Sequence, residues 1–136
     1  MPRQGTETIL VVDDETIILT LTQAMLTRHG YTVIGAQNGT EALHFFEVFP
    51  EQHVDLALID IVLPGIDGFE LADRLRSIRP ALPILYTSAY SHRLELRPER
   101  ARGVPFICKP FSSVSLTRKI REILDEPMSE SASSQK

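Results

Sequence analysis

Four apolar stretches of this chain each end in a polar group. Asp13-Asp14-Glu15 follow TILVV, Asp60 follows VDLALI, Thr87-Ser88 follow PILY, and Lys109-Pro110 follow VPFIC. Taken singly, each has an ordinary explanation. An aspartate after a strand is usually a turn former or helix N-cap, a serine a cap, and a lysine a solvated cation. Taken together they are carboxylates, a hydroxyl and an ammonium, a set suited to phosphoryl chemistry. Asp60 can attack phosphorus and carry the group as an acyl phosphate. A metal ion, Lys109 and Ser88 can then neutralise or hydrogen-bond the phosphoryl oxygens. Asp13, Asp14 and Asp60 cannot all stay ionised at close range without a cation. A hard divalent ion suits oxygen donors, and Mg2+ suits best, because it takes one or two carboxylates and keeps waters or phosphate oxygens as its other ligands. The four histidines (His29, His44, His53, His92) are scattered and Cys108 is the single cysteine, so zinc is not expected.

These groups act together only if the fold gathers them. The apolar runs Thr8–Val12, Tyr31–Ala36, Val54–Ile59, Pro83–Tyr86 and Val104–Cys108 read as strands. The first and third are nearly continuous in apolar residues, as central parallel strands covered on both faces should be. Helical stripes lie between them: Ile18, Leu21 and Met25; Ala42, Phe45, Phe46 and Phe49; Leu71, Leu75 and Ile78; and, last, Leu116, Ile120 and Ile123. Asn38 with Glu41 reads as a capping box, Ser112 or Ser113 as the cap of the last helix, and Gly30 and Pro80 as stops. A weaker helical segment, Ser91 to Arg102, carries Pro98 in its interior, which favours a short helix or two turns. Strand and helix thus alternate, and this order implies a doubly wound five-stranded parallel sheet with helices on both faces. In such sheets ligands bind outside the carboxyl ends of the strands. Asp13, Asp14, Asp60, Ser88 and Lys109 all fall on that edge. With strand order 2-1-3-4-5, the first and third strands are neighbours and the three aspartates share one pocket.

Composition narrows the class. A chain of 136 residues, 43% hydrophobic and 24% charged, is one domain's worth of an ordinary globular protein. The lone cysteine excludes an intrachain disulfide and fits a reducing compartment. No apolar run approaches the roughly 20 residues of a membrane helix, and the N-terminus lacks a signal peptide's apolar stretch. A net charge of −4 gives no pull toward nucleic acid. The expectation is a cytoplasmic domain over residues 7–125, with an N-terminal extension at 1–6 and a disordered serine-rich tail at 126–136.

VVDDE at 11–15, LIDIVLPGIDG at 58–68, YTSAY at 86–90 and FICKPF at 106–111 together resemble the receiver domain of two-component response regulators, over about residues 7 to 125. The resemblance implies the flavodoxin-like sheet of order 2-1-3-4-5. It implies Asp60 as phospho-acceptor, with Asp13 and Asp14 as the acidic pair holding Mg2+ and Asp14 the more direct ligand. The backbone carbonyl of Val62 falls where the family supplies a further metal ligand. Ser88, which immediately precedes Ala89, matches the switch hydroxyl, Lys109 the phosphate-pairing lysine, and Phe106 the switch aromatic. A cis Lys109-Pro110 bond is also implied. Gly65 and Gly68 serve the turn after the third strand, and Cys108, on the other side of its strand from Lys109, should be a buried, inert thiol.

The expected function is acceptance of a phosphoryl group by Asp60 from a sensor histidine kinase or histidine phosphotransfer protein, followed by a conformational switch read by a downstream protein on the face of the fourth and fifth strands. Pro98 sits within the fourth helical segment, beside that face. The chain resembles a stand-alone receiver or the receiver of a hybrid kinase, with no direct contact to nucleic acid and no membrane insertion. Three competitors are weaker. An Asp-nucleophile phosphatase usually carries a second aspartate two residues after the first, where this chain has Val62. A flavin binder needs a glycine- and hydroxyl-rich loop after the first strand, where this chain has Asp-Asp-Glu. A phosphorylation-independent interaction module has no need of Asp60, Asp14, Ser88 and Lys109 together.

By the same resemblance, Val62 and Tyr90 line the approach of the water that hydrolyses an acyl phosphate. Valine cannot hold that water and tyrosine covers the group, so dephosphorylation should be slow. Changing Val62→Asn together with Tyr90→Glu should speed phosphate loss roughly tenfold, about 1.4 kcal/mol of barrier. The decay of phosphorylated protein after donor removal measures this, and an unchanged decay in a folded double variant refutes it.

Overall fold

The structure, a computed structural model, describes residues 5–89 and 105–125. The expected helical segment around Pro98, Tyr90 and the tail at 126–136 lie outside the described residues. The described elements are β1 (Thr8–Val12), α1 (Thr16–Arg28), β2 (Thr32–Ala36), α2 (Gly39–Val48), β3 (Leu56–Asp60), α3 (Gly68–Ile78), β4 (Ile84–Ala89), β5 (Phe106–Lys109) and α4 (Ser113–Leu124). The sheet has five strands in the order β2-β1-β3-β4-β5, each neighbouring pair parallel.

Alternation along the strands divides the core in two. Leu10, Val12, Ala57, Ile59, Ile84 and Tyr86 pack with Ala42 and Phe46 of α2 and Leu71 and Leu75 of α3. Ile9, Val11, Leu56, Leu58 and Leu85 pack on the other face with Leu19 and Leu26 of α1 and Leu116 and Ile120 of α4. Every residue of β3 is buried, as the continuous apolar run predicts. On the α1/α4 face, Arg121 joins the start of the chain to α4, its Nη1 donating to Glu7 Oε1 at 2.9 Å and to the Tyr31 hydroxyl at 3.2 Å.

The helices depart from the sequence pattern in instructive ways. The stripe expected on α1 was Ile18, Leu21 and Met25, but the buried residues are Leu19, Thr22 and Leu26, and Leu21 is 51% exposed. The buried face holds a threonine, so a search for apolar spacing selects the adjoining stripe. Phe49 and Ile78, expected to complete the α2 and α3 stripes, are exposed where those helices run out. The Asn38 cap forms, with Oδ1 accepting from the Glu41 N–H at 2.8 Å, but Glu41 Oε1 accepts from the Gln37 N–H rather than from Asn38. Ser112 caps α4 in a reciprocal box with Ser115. Gly30, at φ 95°, follows the C-cap of α1, as expected of a helix stop. The Lys109-Pro110 peptide is cis, in line with the family resemblance. Cys108 is only partly buried, because it lies on β5, the last strand of the sheet order, where burial is incomplete along the strand.

One glycine sets the turn that leads out of β3. The Gly68 N–H donates to the Ile61 carbonyl at 2.8 Å, and Asp67 caps α3 through the Glu70 N–H at 2.8 Å. A Cβ on Gly68 would lie 2.3 Å from the Asp60 carbonyl oxygen and 2.7 Å from Ile61 Cα, both backbone atoms. Gly68→Ala should therefore lower the unfolding free energy by about 1–3 kcal/mol, the usual range for overpacking. Urea denaturation checks this; a loss below about 0.5 kcal/mol, the level of an indifferent surface change, would show that the turn yields freely.

Candidate functional site

Strand register brings the polar residues together. Val12 pairs with Ile59, so Asp13 and Asp60 leave adjacent strands side by side. Asp60 pairs with Thr87 and Ala89 with Lys109, which aligns the ends of β3, β4 and β5 on the same edge. Asp13 is 4% exposed and Asp60 4%, both far more buried than an unpaired carboxylate tolerates.

Lys109 is their counter-ion. Its Nζ lies 2.9 Å from Asp13 Oδ2 and 2.9 Å from Asp60 Oδ2, and its side chain is as enclosed as theirs. The other oxygen of each aspartate is held by backbone: Asp13 Oδ1 accepts from the Glu15 N–H at 2.9 Å, and Asp60 Oδ1 from the Val62 N–H at 3.1 Å. Burial nevertheless pushes the Asp60 carboxyl up from the usual aspartate range, with Lys109 opposing the rise and the Asp13 charge adding to it. Burial pulls the Lys109 ammonium down, but the two aspartates outweigh it and hold the lysine firmly protonated. One ammonium therefore serves a cluster that still carries excess negative charge.

Asp14 completes that cluster. It is exposed, yet one oxygen from each of Asp13, Asp14 and Asp60 lies within 4.8 Å of the others. Carboxylate oxygens at this spacing, with water access through Asp14, are a fitting donor set for one hard divalent cation such as Mg2+. A cation there would favour the ionised form that burial opposes at Asp60.

The remaining predicted residues stand at different distances from this centre. Ser88 is fully buried at the end of β4, and its hydroxyl donates to the Ala89 carbonyl at 3.1 Å rather than to the carboxylate cluster. Thr87, also buried, shares the Leu85 side of β4 by alternation, whereas Ser88 falls on the Tyr86 side. Phe106 is partly buried, packs against the α2/α3 core and pairs with Tyr86. Val62 touches the site through its N–H, and Tyr90 is outside the described residues. Sequence reasoning assigned no role to Glu15, whose Oε1 lies 3.4 Å from Lys109 Nζ. The signal available was a glutamate at a helix N-cap, where Ser, Thr, Asp and Asn are preferred.

A sheet of this order with an acid-and-lysine edge defines a class, and the comparisons agree. The family model for the response regulator receiver domain matches residues 9–121, and the chain belongs to that family of signalling domains. It is 38% identical over 117 residues to the alkaline phosphatase synthesis transcriptional regulatory protein PhoP of Bacillus subtilis (strain 168), covering 85% of this chain and 48% of that protein. The chain thus spans about half the length of the curated relatives it matches. Among solved structures, a CheY-like receiver domain protein from Methanospirillum hungatei JF-1 is 32% identical with a TM-score of 0.76, covering 89% of this chain and 95% of that one. The response regulator TrrA of Thermotoga maritima, solved in complex with Mg2+-BeF, is 35% identical with a TM-score of 0.71, covering 87% of this chain and 99% of that one. No helix among the described residues is long and apolar enough to cross a membrane.

The carboxylate cluster makes a direct prediction about metal. The unfolded chain has no preformed site, so Mg2+ should stabilise the fold by mass action, by about 2.7 kcal/mol at a hundredfold excess over Kd. The melting temperature should rise with Mg2+ in the wild type and much less in Asp14→Asn. An equal rise in both would remove Asp14 from the site.

Proposed function

We propose that Asp60 is the phosphoryl acceptor of this receiver domain and that its donor is a phosphohistidine on a sensor histidine kinase or a histidine phosphotransfer protein. The observation that carries this reading is the buried Asp60 carboxylate, 2.9 Å from a buried ammonium and inside a cluster of acids at the strand edge. A lone pair on an Asp60 oxygen forms the new bond to phosphorus as the P–N bond to imidazole breaks. That bonding pair stays on the imidazole nitrogen. Asp60 thereby becomes an acyl phosphate, and no net oxidation or reduction occurs.

Asp13, Asp14, Asp60 and the Val62 carbonyl are the residues that would hold Mg2+. The ion would supply charge neutralisation for the phosphoryl oxygens. Lys109 is already placed to pair with one of those oxygens, because its ammonium sits on the acceptor itself. Ser88 and Phe106 are the proposed reporters of occupancy. The Ser88 hydroxyl, spent on a neighbouring carbonyl in this structure, is free to exchange that bond for a phosphoryl oxygen, and Phe106 lies beside Tyr86 on the strand pair that would carry the change to the surface. A downstream protein would read it on the β4/β5 face. The resident role is therefore a switch that assists only its own phosphorylation and dephosphorylation. The similarity to the TrrA receiver, whose crystals hold Mg2+-BeF, supports the same ligand chemistry here.

The test is intact-mass analysis after incubation with acetyl phosphate and Mg2+. The wild type should gain one acid-labile phosphoryl group and Asp60→Asn none, with Asp60→Asn still folded. A phosphoryl gain in the variant would move the acceptor elsewhere, and no gain in the wild type would overturn the reading.

A further inference from the structure

Glu15 breaks a local rule. It is the N-cap of α1, where short side chains are preferred because they reach the first free N–H groups of the helix. The Glu15 side chain makes no such bond, and no acidic residue stands in the first turn of α1. Its carboxylate instead turns to Lys109, with Oε1 3.4 Å from Nζ. The other two carboxylates on that ammonium are enclosed, at 6% and 5% side-chain exposure for Asp13 and Asp60, whereas Glu15 keeps 64%. It is the solvent-facing partner of a buried cation, on a side chain long enough to let go.

Resting on the acceptor reading above, we propose that Glu15 is a positioning residue: a displaceable carboxylate that holds Lys109 in the resting site and yields it when phosphoryl oxygens arrive. The two ligands of the site then respond to Glu15 with opposite sign. A cation among Asp13, Asp14 and Asp60 gains from the added negative charge and from a further carboxylate that shares the Lys109 ammonium with the metal ligands. An anion on Asp60 meets a competitor for the same ammonium and a like charge beside it. Glu15 thus favours the metal-bound, unphosphorylated state and restrains uptake. It gives the resting site a partner for Lys109 that survives when the aspartates turn to metal.

The experiment uses the full chain with Glu15→Gln and Glu15→Ala. Calorimetry without any phosphoryl donor should show Mg2+ bound about two- to fivefold more weakly than in the wild type, the effect of one charge across a few ångströms of water-rich surface. Beryllofluoride at saturating Mg2+ should bind more tightly by a similar factor, and phosphoryl uptake from acetyl phosphate should be faster by about threefold. A loosened or misfolded site weakens both ligands, so the opposite shifts are the signature. The proposal is overturned if both ligands move in the same direction, or if neither moves, in the two variants. A wild type that takes up no phosphoryl group overturns the acceptor reading; a wild type that does, with the Glu15 variants unmoved, overturns only this inference.

Discussion

The Lys109 ammonium, 2.9 Å from both Asp13 and Asp60, ties together the ends of three strands that come from distant parts of the chain. Asp13 and Asp60 leave adjacent strands, and Lys109 reaches them from β5, two places beyond β3 in the sheet. Removing the lysine charge leaves two buried carboxylates without their counter-ion, at a penalty of several kcal/mol. The arrangement in turn needs the strand order it is found in. Were β1 and β3 not neighbours, the two carboxylates would not face one ammonium, and no single cation could bridge them.

Long-range pairing settles the charge of the site, while a short turn settles its aim. Asp60 is the last residue of β3, and the chain must turn at once into the loop before α3. Three contacts control that turn. The Val62 N–H holds one carboxylate oxygen, Gly68 lies against the Asp60 carbonyl with no room for a side chain, and Asp67 starts the next helix. The proposed acceptor side chain thus stands on a backbone that is held by the turn that follows it. Preorganisation of this kind is what a group-transfer site requires, because orientation obtained during folding need not be obtained during reaction.

The same economy explains why the site sits where two cores end. The α2/α3 core and the α1/α4 core fill opposite faces of the sheet. Alternation carries Asp13 and Asp60 to the side of Val11 and Leu58, which is the α1/α4 side, and Lys109 follows Ile107 there. Ser88 and Phe106 fall on the other side, with Tyr86. A site with its charges on one face and its proposed reporters on the other has both cores as neighbours.

Much of this was legible in the residues themselves. Continuous apolar runs marked β1 and β3 as central strands, because a strand covered on both faces has no polar side to show. The polar groups after those runs marked the functional edge, because hydrophobic burial ends where they begin. Asn38, Gly30 and the Ser112-Ser113 pair announced helix ends through backbone chemistry that acts within a few residues. What depended on the third dimension was every question of orientation. α1 is apolar around much of its circumference, and only contact with the sheet and α4 chose Leu19, Thr22 and Leu26 over the neighbouring stripe. The half-burial of Cys108 follows from its place on an end strand, which no local pattern reveals. The Lys109–Asp13 pair joins residues 96 apart in sequence, and the turn of Glu15 toward the same ammonium depends on a charge brought there by another strand. Local preferences act over a turn or two of chain and can be read from it. The partner of a buried charge is chosen by distance in space, so only the tertiary structure decides it.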